Sequence, residues 1–244
     1  MRGARIMARR DERTCDEKIE LSEELTLEEP TEAALEAAAR LVGKTWYPDE
    51  PAAWRGACEK VELAHHLEHA TYVRAAMLNG SFAGIIAAAP TGAHEVQAAA
   101  DVSTLWYRDH LRKVAPWTIG TSDEAAIGAF LAPVTAEMVL TQEFLKKRDA
   151  RSAWEITLLA IDPACQGHGI GKALLTDVVA YLQSQEAAGF FLATDDGCDF
   201  GFYDHLGLER IAARETPIAA EGLGEQPFHV YLYGSLLGDP CDVR

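Results

Sequence analysis

The sequence predicts one mixed α/β domain, and three stretches carry that expectation. Trp154 to Lys172 (WEITLLAIDPACQGHGIGK) reads as an apolar strand, a sharp break at Asp162–Pro163, a glycine-studded loop and the opening of a helix. Tyr72–Leu78 and Ser81–Ala89 read as two strands joined by Asn79-Gly80, a strong two-residue hairpin signal. His229–Leu236 alternates, with Val230 and Leu232 inward against His229, Tyr231 and Tyr233, and reads as a closing strand. Strands interleaved with helical patterns, without a repeat or a low-complexity linker, fit a single layered core.

The remaining elements follow in order. Residues 1–17 are charged and aperiodic and are expected to form a flexible N-terminal arm, leaving 18–244 as one domain. Lys18–Leu27, with Ile19 and Leu21, offers a short first strand. Pro30-Thr31-Glu32 opens a helix; Ala34, Leu35, Ala38, Leu41 and Val42 recur at helical spacing, and Gly43 is expected to close it. A second helix runs from about Ala53 to Ala70. Between the hairpin and the central strand, an insertion at about 90–151 keeps helical patterning. Val102, Leu105, Trp106, Leu111 and Val114 suggest one helix. Ile127, Phe130, Leu131, Val134, Met138 and Phe144 suggest one or two more, with Pro116 and Pro133 as breaks or first-turn residues. After the glycine loop, Ile170 to Ala188 is the best helix, with Ile170, Leu174, Val178 and Leu182 on one face and Gly189 as its stop. Phe190–Ala193 is a strand, Asp199–Leu206 a short helix ended by Gly207, and Arg210–Arg214 the strand before the last.

Composition narrows the function. The chain has 244 residues, 48% hydrophobic and 25% charged, ordinary for a globular protein with a sizeable core. No apolar run approaches the roughly 20 residues of a membrane helix, and MRGARIMARRDER lacks the hydrophobic region of a secretory signal. The five cysteines (Cys15, Cys58, Cys165, Cys198, Cys241) are scattered without a C-x-x-C pair, which fits a reduced cytoplasmic compartment. A net charge of −16 argues against nucleic acid as a partner and favours cationic small molecules. His65, His66 and His69 lie on one helix, and His65 with His69 has the i, i+4 spacing of a shared metal, but no third ligand is evident, so a solvated helix face or one rim of the acceptor pocket is expected, and no metal.

The glycine loop is an anion cradle. Unpaired N–H groups at a helix start, beside Gly167, Gly169 and Gly171, suit a phosphate or pyrophosphate. Gln166 and Ala173 stand where a P-loop needs Gly and Ser/Thr, and neither glycine register completes Gly-x-Gly-x-x-Gly. Gln/Arg-x-x-Gly-x-Gly/Ala is met by Gln166, Gly169 and Gly171. On these residues, preceded by the strand and followed by the helix, the sequence resembles the GNAT N-acetyltransferase superfamily, which holds the pyrophosphate of acetyl-CoA on such a loop. The resemblance implies a central mixed, mostly antiparallel sheet with helices on both faces, and a helical insertion between the third and fourth strands. It implies that Leu159, Ala160 and Ile161 of the strand, and Gln166, Gly167, His168, Gly169, Ile170, Gly171 and Lys172 of the loop and helix start, hold the co-substrate. The insertion is then either a lid shaping the acceptor site or a dimer contact, and the protein a monomer or homodimer.

Two further positions carry chemistry. In CDFGFYDHLGLERIA, Phe-Tyr-x-x-x-Gly-Leu resembles the family signature whose tyrosine protonates the departing CoA thiolate; that residue here is Tyr203. A phenol suits the task because its pKa near 10 lies close to that of a thiol; a packing tyrosine is the alternative. Some relatives bond the cofactor through Asn four residues earlier, where this chain has the anionic Asp199. On the central strand, alternation places Trp154, Ile156, Leu158 and Ala160 on one face and Glu155, Thr157, Leu159 and Ile161 on the other. A carboxylate in so apolar a run needs a reason, because burying it unpaired is costly. WEITLLAI resembles the strand of the histone-acetylating branch, whose Glu deprotonates the amine; Glu155 is either that base or a strand-end residue facing solvent. The function implied is transfer of acetyl from acetyl-CoA to a primary amine, of a small molecule or a peptide, by direct attack. A non-catalytic acyl-CoA-binding or sensor domain would keep the cradle and dispense with Tyr203 and Glu155. An interaction protein built on the inserted helices would need none of them.

Overall fold

The computed structural model describes residues 24–48, 50–91, 109–110, 113, 123–220 and 224–238, with side chains left out at 123–131 and 217–226. Its strands are β1 (Leu25–Glu28), β2 (Tyr72–Leu78), β3 (Ser81–Pro90), β4 (Trp154–Ile161), β5 (Gly189–Asp195), β6 (Glu209–Ala220) and β7 (Gly224–Leu236). They form one seven-stranded sheet in the order β1-β2-β3-β4-β5-β7-β6. Neighbours are antiparallel except β4 and β5, which run parallel. The helices are α1 (Glu32–Trp46), α2 (Ala52–Leu67), α3 (Asp123–Lys146), α4 (Ile170–Ser184) and α5 (Gly201–His205). The expected arm at 1–17 lies outside the described residues, as do the start of the expected first strand and Val102, Leu105, Trp106, Leu111 and Val114 of the expected insertion helix, of which 109–110 and 113 are described and helical.

Both faces of the sheet are covered. On one, Ile170, Leu174, Val178 and Leu182 of α4 are buried against Trp154, Ile156, Phe190, Leu192, Tyr231 and Tyr233. On the other, α1 and α2 cover the β3–β4 half, with Ala38, Ala39 and Leu63 on Ile85, Ala87 and Leu158. The β5–β7 half of that face is covered by α3, through Ala136, Leu140 and Phe144 on Phe191, Val230 and Leu232. Each large side chain so buried contributes about 1.5–3 kcal/mol. Because helices lie on both sides, Tyr231 and Tyr233 are as buried as Val230 and Leu232; the inward/outward alternation expected of β7 is really inward on both faces.

Local chemistry sets the boundaries. The hairpin turns at Asn79 (φ 51°) and Gly80 (φ 76°), and Asn79 also ties down β1: its N–H donates to Glu24 O (2.8 Å) and its Oδ1 accepts from Glu24 N–H (3.0 Å). Thr31 caps α1 by accepting from Ala34 N–H (3.2 Å). Gly43 does not end this helix, which runs on to Trp46. A Cβ there would stand 3.1 Å from Glu59 Cβ and 3.3 Å from Arg55 Cγ, so the glycine serves the close approach of α2. Pro133 likewise neither breaks nor starts a helix: α3 runs straight through it, forgoing one backbone bond while its far half is anchored by Ala136, Leu140 and Phe144. The glycine-loop helix ends at Ser184, four residues earlier than expected. The chain reverses at Glu186 (φ 56°), so Gly189 opens β5 instead of stopping a helix.

The central strand departs from simple alternation. Ala87 pairs with Leu158 and Ala88 with Ile156, so Thr157 is an extra residue, a β-bulge. Before it, Trp154 and Ile156 face α4; after it, Leu159 and Ile161 face α4, and Leu158 and Ala160 turn to α1 and α2. The expected grouping of Glu155 with Leu159 and Ile161 is therefore wrong: one bulge exchanges the faces half-way along β4.

Candidate active site

The cradle begins where β4 ends. Asp162 Oδ1 accepts from Ala164 N–H (2.9 Å), capping a short 3-10 turn over Pro163–Cys165. Gly167 (φ 84°) and Gly169 (φ 72°) then take the left-handed conformation that side chains resist. Among the described residues nothing lies within 4 Å of where a Cβ would stand on either, so the main chain there is open to an approaching group. His168 Nδ1 lies 3.0 Å from both Cys165 O and Gln166 O, so its N–H braces the turn by donating to carbonyls. Gly169 gives α4 no side-chain cap, and the first N–H to bond back is that of Ala173, to Gly169 O (3.0 Å). The N–H groups of Ile170, Gly171 and Lys172 are thus available at the positive end of a 15-residue helix, a fit for a pyrophosphate. Gly171 has another reason: a Cβ would sit 2.9 Å from Phe202 Cζ, so it lets α4 pack against α5.

That packing positions Tyr203. It is the buried residue of α5, with its ring 5.3 Å from Phe202 and 5.5 Å from Tyr233. Its hydroxyl has no hydrogen-bond partner among the described residues. Burial, then the nearby Cys198 and Asp199, push the phenol above its ordinary value, so it stays protonated at neutral pH. Asp199 lies just before the helix, its carbonyl accepting from Phe202 N–H (3.1 Å).

The opposite face of the sheet, around Glu155, is acidic. Among the described residues β4 and β5 share one rung, Glu155 with Phe191, and part beyond it. Glu155 projects on the α2/α3 face, held up to about 7 by burial. It has no hydrogen bond or ion pair among the described residues. Glu137 of α3 stands in the same field: burial first, then Glu155, Asp195 and Glu62, raise it to about 8, while His66 pulls the other way. Glu155 ionises first, and its charge makes Glu137 hold its proton longer. His66 Nε2 lies 3.5 Å from Glu62 Oε1, an ion-pair distance without a hydrogen bond. Burial opposes the imidazolium, but Glu62 and Glu137 outweigh it, and the ring is raised overall. Thr157, the bulge residue, donates to His66 O (2.8 Å), joining α2 to β4 beside Glu155. Tyr47 donates to Glu62 Oε2 (3.2 Å), and Trp46 Nε1 to Cys198 Sγ (3.4 Å), closing the end of α1 over this region.

Of the residues singled out in the sequence, the fold assembles the loop 166–172 at one helix start, Tyr203 against it through Phe202, and Glu155 at the strand parting. It sets Leu159 and Ile161 on the α4 face, away from Glu155. Sequence reasoning missed Glu62, Glu137 and Asp195. His65 and His69 drew attention through spacing, yet the histidine turned to a carboxylate inside the fold is their neighbour His66, 15% exposed; Glu62 four residues before it was the available signal. Glu137 had none, lying in an insertion without a motif. Among the described residues no group of three or more His, Cys, Asp or Glu is arranged to hold a metal ion, and no helix is long and apolar enough to cross a membrane. An open groove between α1 and α2, lined by Leu35, Ala39, Leu63 and Leu67, shares no residue with this site.

Comparison with known proteins bears on this arrangement. Residues 31–207 match the sequence profile of the Acetyltransferase (GNAT) family. A mosquito arylalkylamine N-acetyltransferase-like protein (5b) superposes with a TM-score of 0.55 at 16% identity, over 88% of this chain and 100% of its own. The Drosophila melanogaster polyamine N-acetyltransferase, which forms N-acetylagmatine, gives 0.53 at 14% identity, over 88% and 100%. At such identities these structures speak for the fold. The profile covers well over half of the chain, which belongs to the GNAT family and is an acetyl-CoA-dependent N-acetyltransferase.

Proposed function

We propose that the protein moves an acetyl group from acetyl-CoA to a primary amine by direct attack, with Glu155 as general base and Tyr203 as general acid. The observation that carries this reading is Glu155 itself: a half-buried, desolvated carboxylate, without hydrogen bond or ion pair among the described residues, at the one rung from which β4 and β5 diverge. The loop from Gln166 to Lys172 holds the pyrophosphate, and β4 beyond Glu155 offers backbone N–H groups to the acetyl oxygen.

The acceptor arrives as an ammonium and gives a proton to the Glu155 carboxylate, leaving a neutral nitrogen. That nitrogen attacks the thioester carbonyl carbon, and a C–N bond forms as the carbonyl electrons move to oxygen. When the carbonyl reforms, the C–S bond breaks and sulfur takes the Tyr203 proton; the nitrogen's surplus proton returns to Tyr203. Glu155 releases its proton to solvent, so the balance is amide, free CoA thiol and one proton. The acceptor is a small-molecule or peptide amine, acetylated in a reducing cytoplasm where Cys58, Cys165 and Cys198 remain thiols. Release of CoA thiol from acetyl-CoA, measured against a panel of alkylamines, arylalkylamines, diamines and N-terminal peptides, tests the reading. Turnover with at least one amine, lowered by roughly 10²–10⁴ near neutral pH in Glu155→Gln and Tyr203→Phe, is expected. Tight CoA binding with no turnover on any amine would favour an acyl-CoA-binding domain.

A further inference from the structure

To act as an acid, Tyr203 must bring its phenol oxygen within about 2.6–3.2 Å of the CoA sulfur. No group among the described residues bonds the hydroxyl itself, so its aim is set through the ring and the helix that carries it. That helix, α5, has five residues and no side-chain cap, too few to hold their own conformation in water. On one side Phe202 rests against Gly171 of α4. On the other, the residue after Tyr203, Asp204, is held by the sheet. Its Oδ1 accepts from the Tyr233 hydroxyl (2.9 Å) and its Oδ2 from Arg210 Nη2 (3.0 Å). Arg210 Nε donates to the Tyr233 hydroxyl (2.8 Å), closing a triangle. Arg210 and Tyr233 stand opposite each other on β6 and β7 and so share a face. The Tyr233 residue is fully buried, its ring 5.5 Å from that of Tyr203. The Arg210 guanidinium carbon lies 4.6 Å from the Tyr231 ring centre and 5.4 Å from that of Phe200, just before α5. An exposed Arg–Asp pair by itself contributes little. Here the two side chains, 39% and 50% exposed, are tied to a third group anchored in the core.

We propose that Asp204 and Arg210, joined through the Tyr233 hydroxyl, are positioning residues that fix α5 and so aim the Tyr203 phenol at the departing CoA sulfur. The inference rests on the reading of Tyr203 as general acid. Asp204 acts through the helical turn it shares with Tyr203, and Arg210 through Asp204 and through Phe200 at the start of that turn. Without the triangle Tyr203 keeps its proton and loses its aim, and a misplacement of about 1 Å can cost as much as about 10²-fold in rate.

The test is a double-mutant cycle of Asp204→Ala and Tyr203→Phe, with kcat and the KM for acetyl-CoA measured at saturating levels of the best amine of the panel. Alanine favours a helix, so Asp204→Ala removes both bonds at no propensity cost to α5. It is expected to lower kcat by about 10-fold or more and to leave the KM for acetyl-CoA within about twofold of wild type. In the Tyr203→Phe background the same substitution should change kcat by less than about twofold, because no phenol proton is left to aim. Asp204→Asn keeps an oxygen for the Tyr233 hydroxyl and should recover part of the loss. Unchanged kcat in Asp204→Ala overturns the proposal. So does an equal fall in both backgrounds, the mark of a support that does not act through Tyr203. Failure of the acid reading shows separately: Tyr203→Phe alone would then leave kcat at the wild-type level, and the proposal falls with it.

Discussion

Glu155 stands opposite Phe191 in the rung that joins β4 to β5, and beyond that pair the two parallel strands separate. The relationship ties base to scaffold. Phe191 is fully buried under Phe144 of α3, with ring centroids 5.1 Å apart, so the floor beside Glu155 is fixed by the inserted helix. The bulge at Thr157, bonded to His66 O, fixes the other side.

The cradle depends on a backbone only glycine adopts readily. Gly169→Ala places a Cβ at φ 72°, a conformation costing about 1–2 kcal/mol, in space that is otherwise open. The variant should fold and lose CoA affinity by about 10-fold or more, read by calorimetry. Wild-type affinity would remove the loop from the binding site.

Gly171→Ala acts differently. Its Cβ would come within 2.9 Å of Phe202 Cζ, so α4 and α5 must move apart. A loss of about 1–3 kcal/mol in stability is expected, with a fall in kcat as Tyr203 shifts. Phe202→Leu in the same chain should restore part of both; an unperturbed single variant contradicts the packing.

Tyr203→Phe removes one hydroxyl from a buried ring. Melting temperature and acetyl-CoA affinity should hold, and kcat should fall by roughly 10²–10⁴. Unchanged kcat with a confirmed acceptor would make Tyr203 a packing residue.

How far the sequence led is visible at particular residues. The hairpin at Asn79-Gly80, the Ile170–Leu182 stripe and the glycine loop were legible because each is set by short-range rules: a turn type, a helical period, a need for positive φ. Gly43 was misread because its reason is tertiary, the nearness of Glu59, and the second reason for Gly171, the nearness of Phe202, is tertiary too. The face change in β4 was invisible because a bulge leaves no mark in an apolar run. Glu137 was missed because the fold desolvates it, and no local pattern reports burial.

The desolvated carboxylates also predict how stability follows pH. Burial holds Glu155 at about 7 and Glu137 at about 8, above their ordinary 4.5, so the folded chain binds more protons than the unfolded one across that window. Stability conferred below pH 4.5 is therefore lost as pH rises through 7 and 8. Asp195 and His66, also raised, act in the same direction. The Glu137→Gln/Glu155→Gln double variant should melt with wild type at pH about 5 and above it at pH about 8, by about 2–4 °C or more. Parallel curves across the range would mean that neither carboxylate is desolvated.

The most direct test of the account is the pH profile of kcat/KM for wild type and Glu155→Gln with the best amine found. Wild type should rise through an acidic limb near 7, where Glu155 ionises. Glu155→Gln should lose roughly 10²–10⁴ near neutral pH, a loss that shrinks towards pH about 10 as more of the amine arrives already neutral. A loss equal at every pH, or no loss at all, would contradict Glu155 as the base.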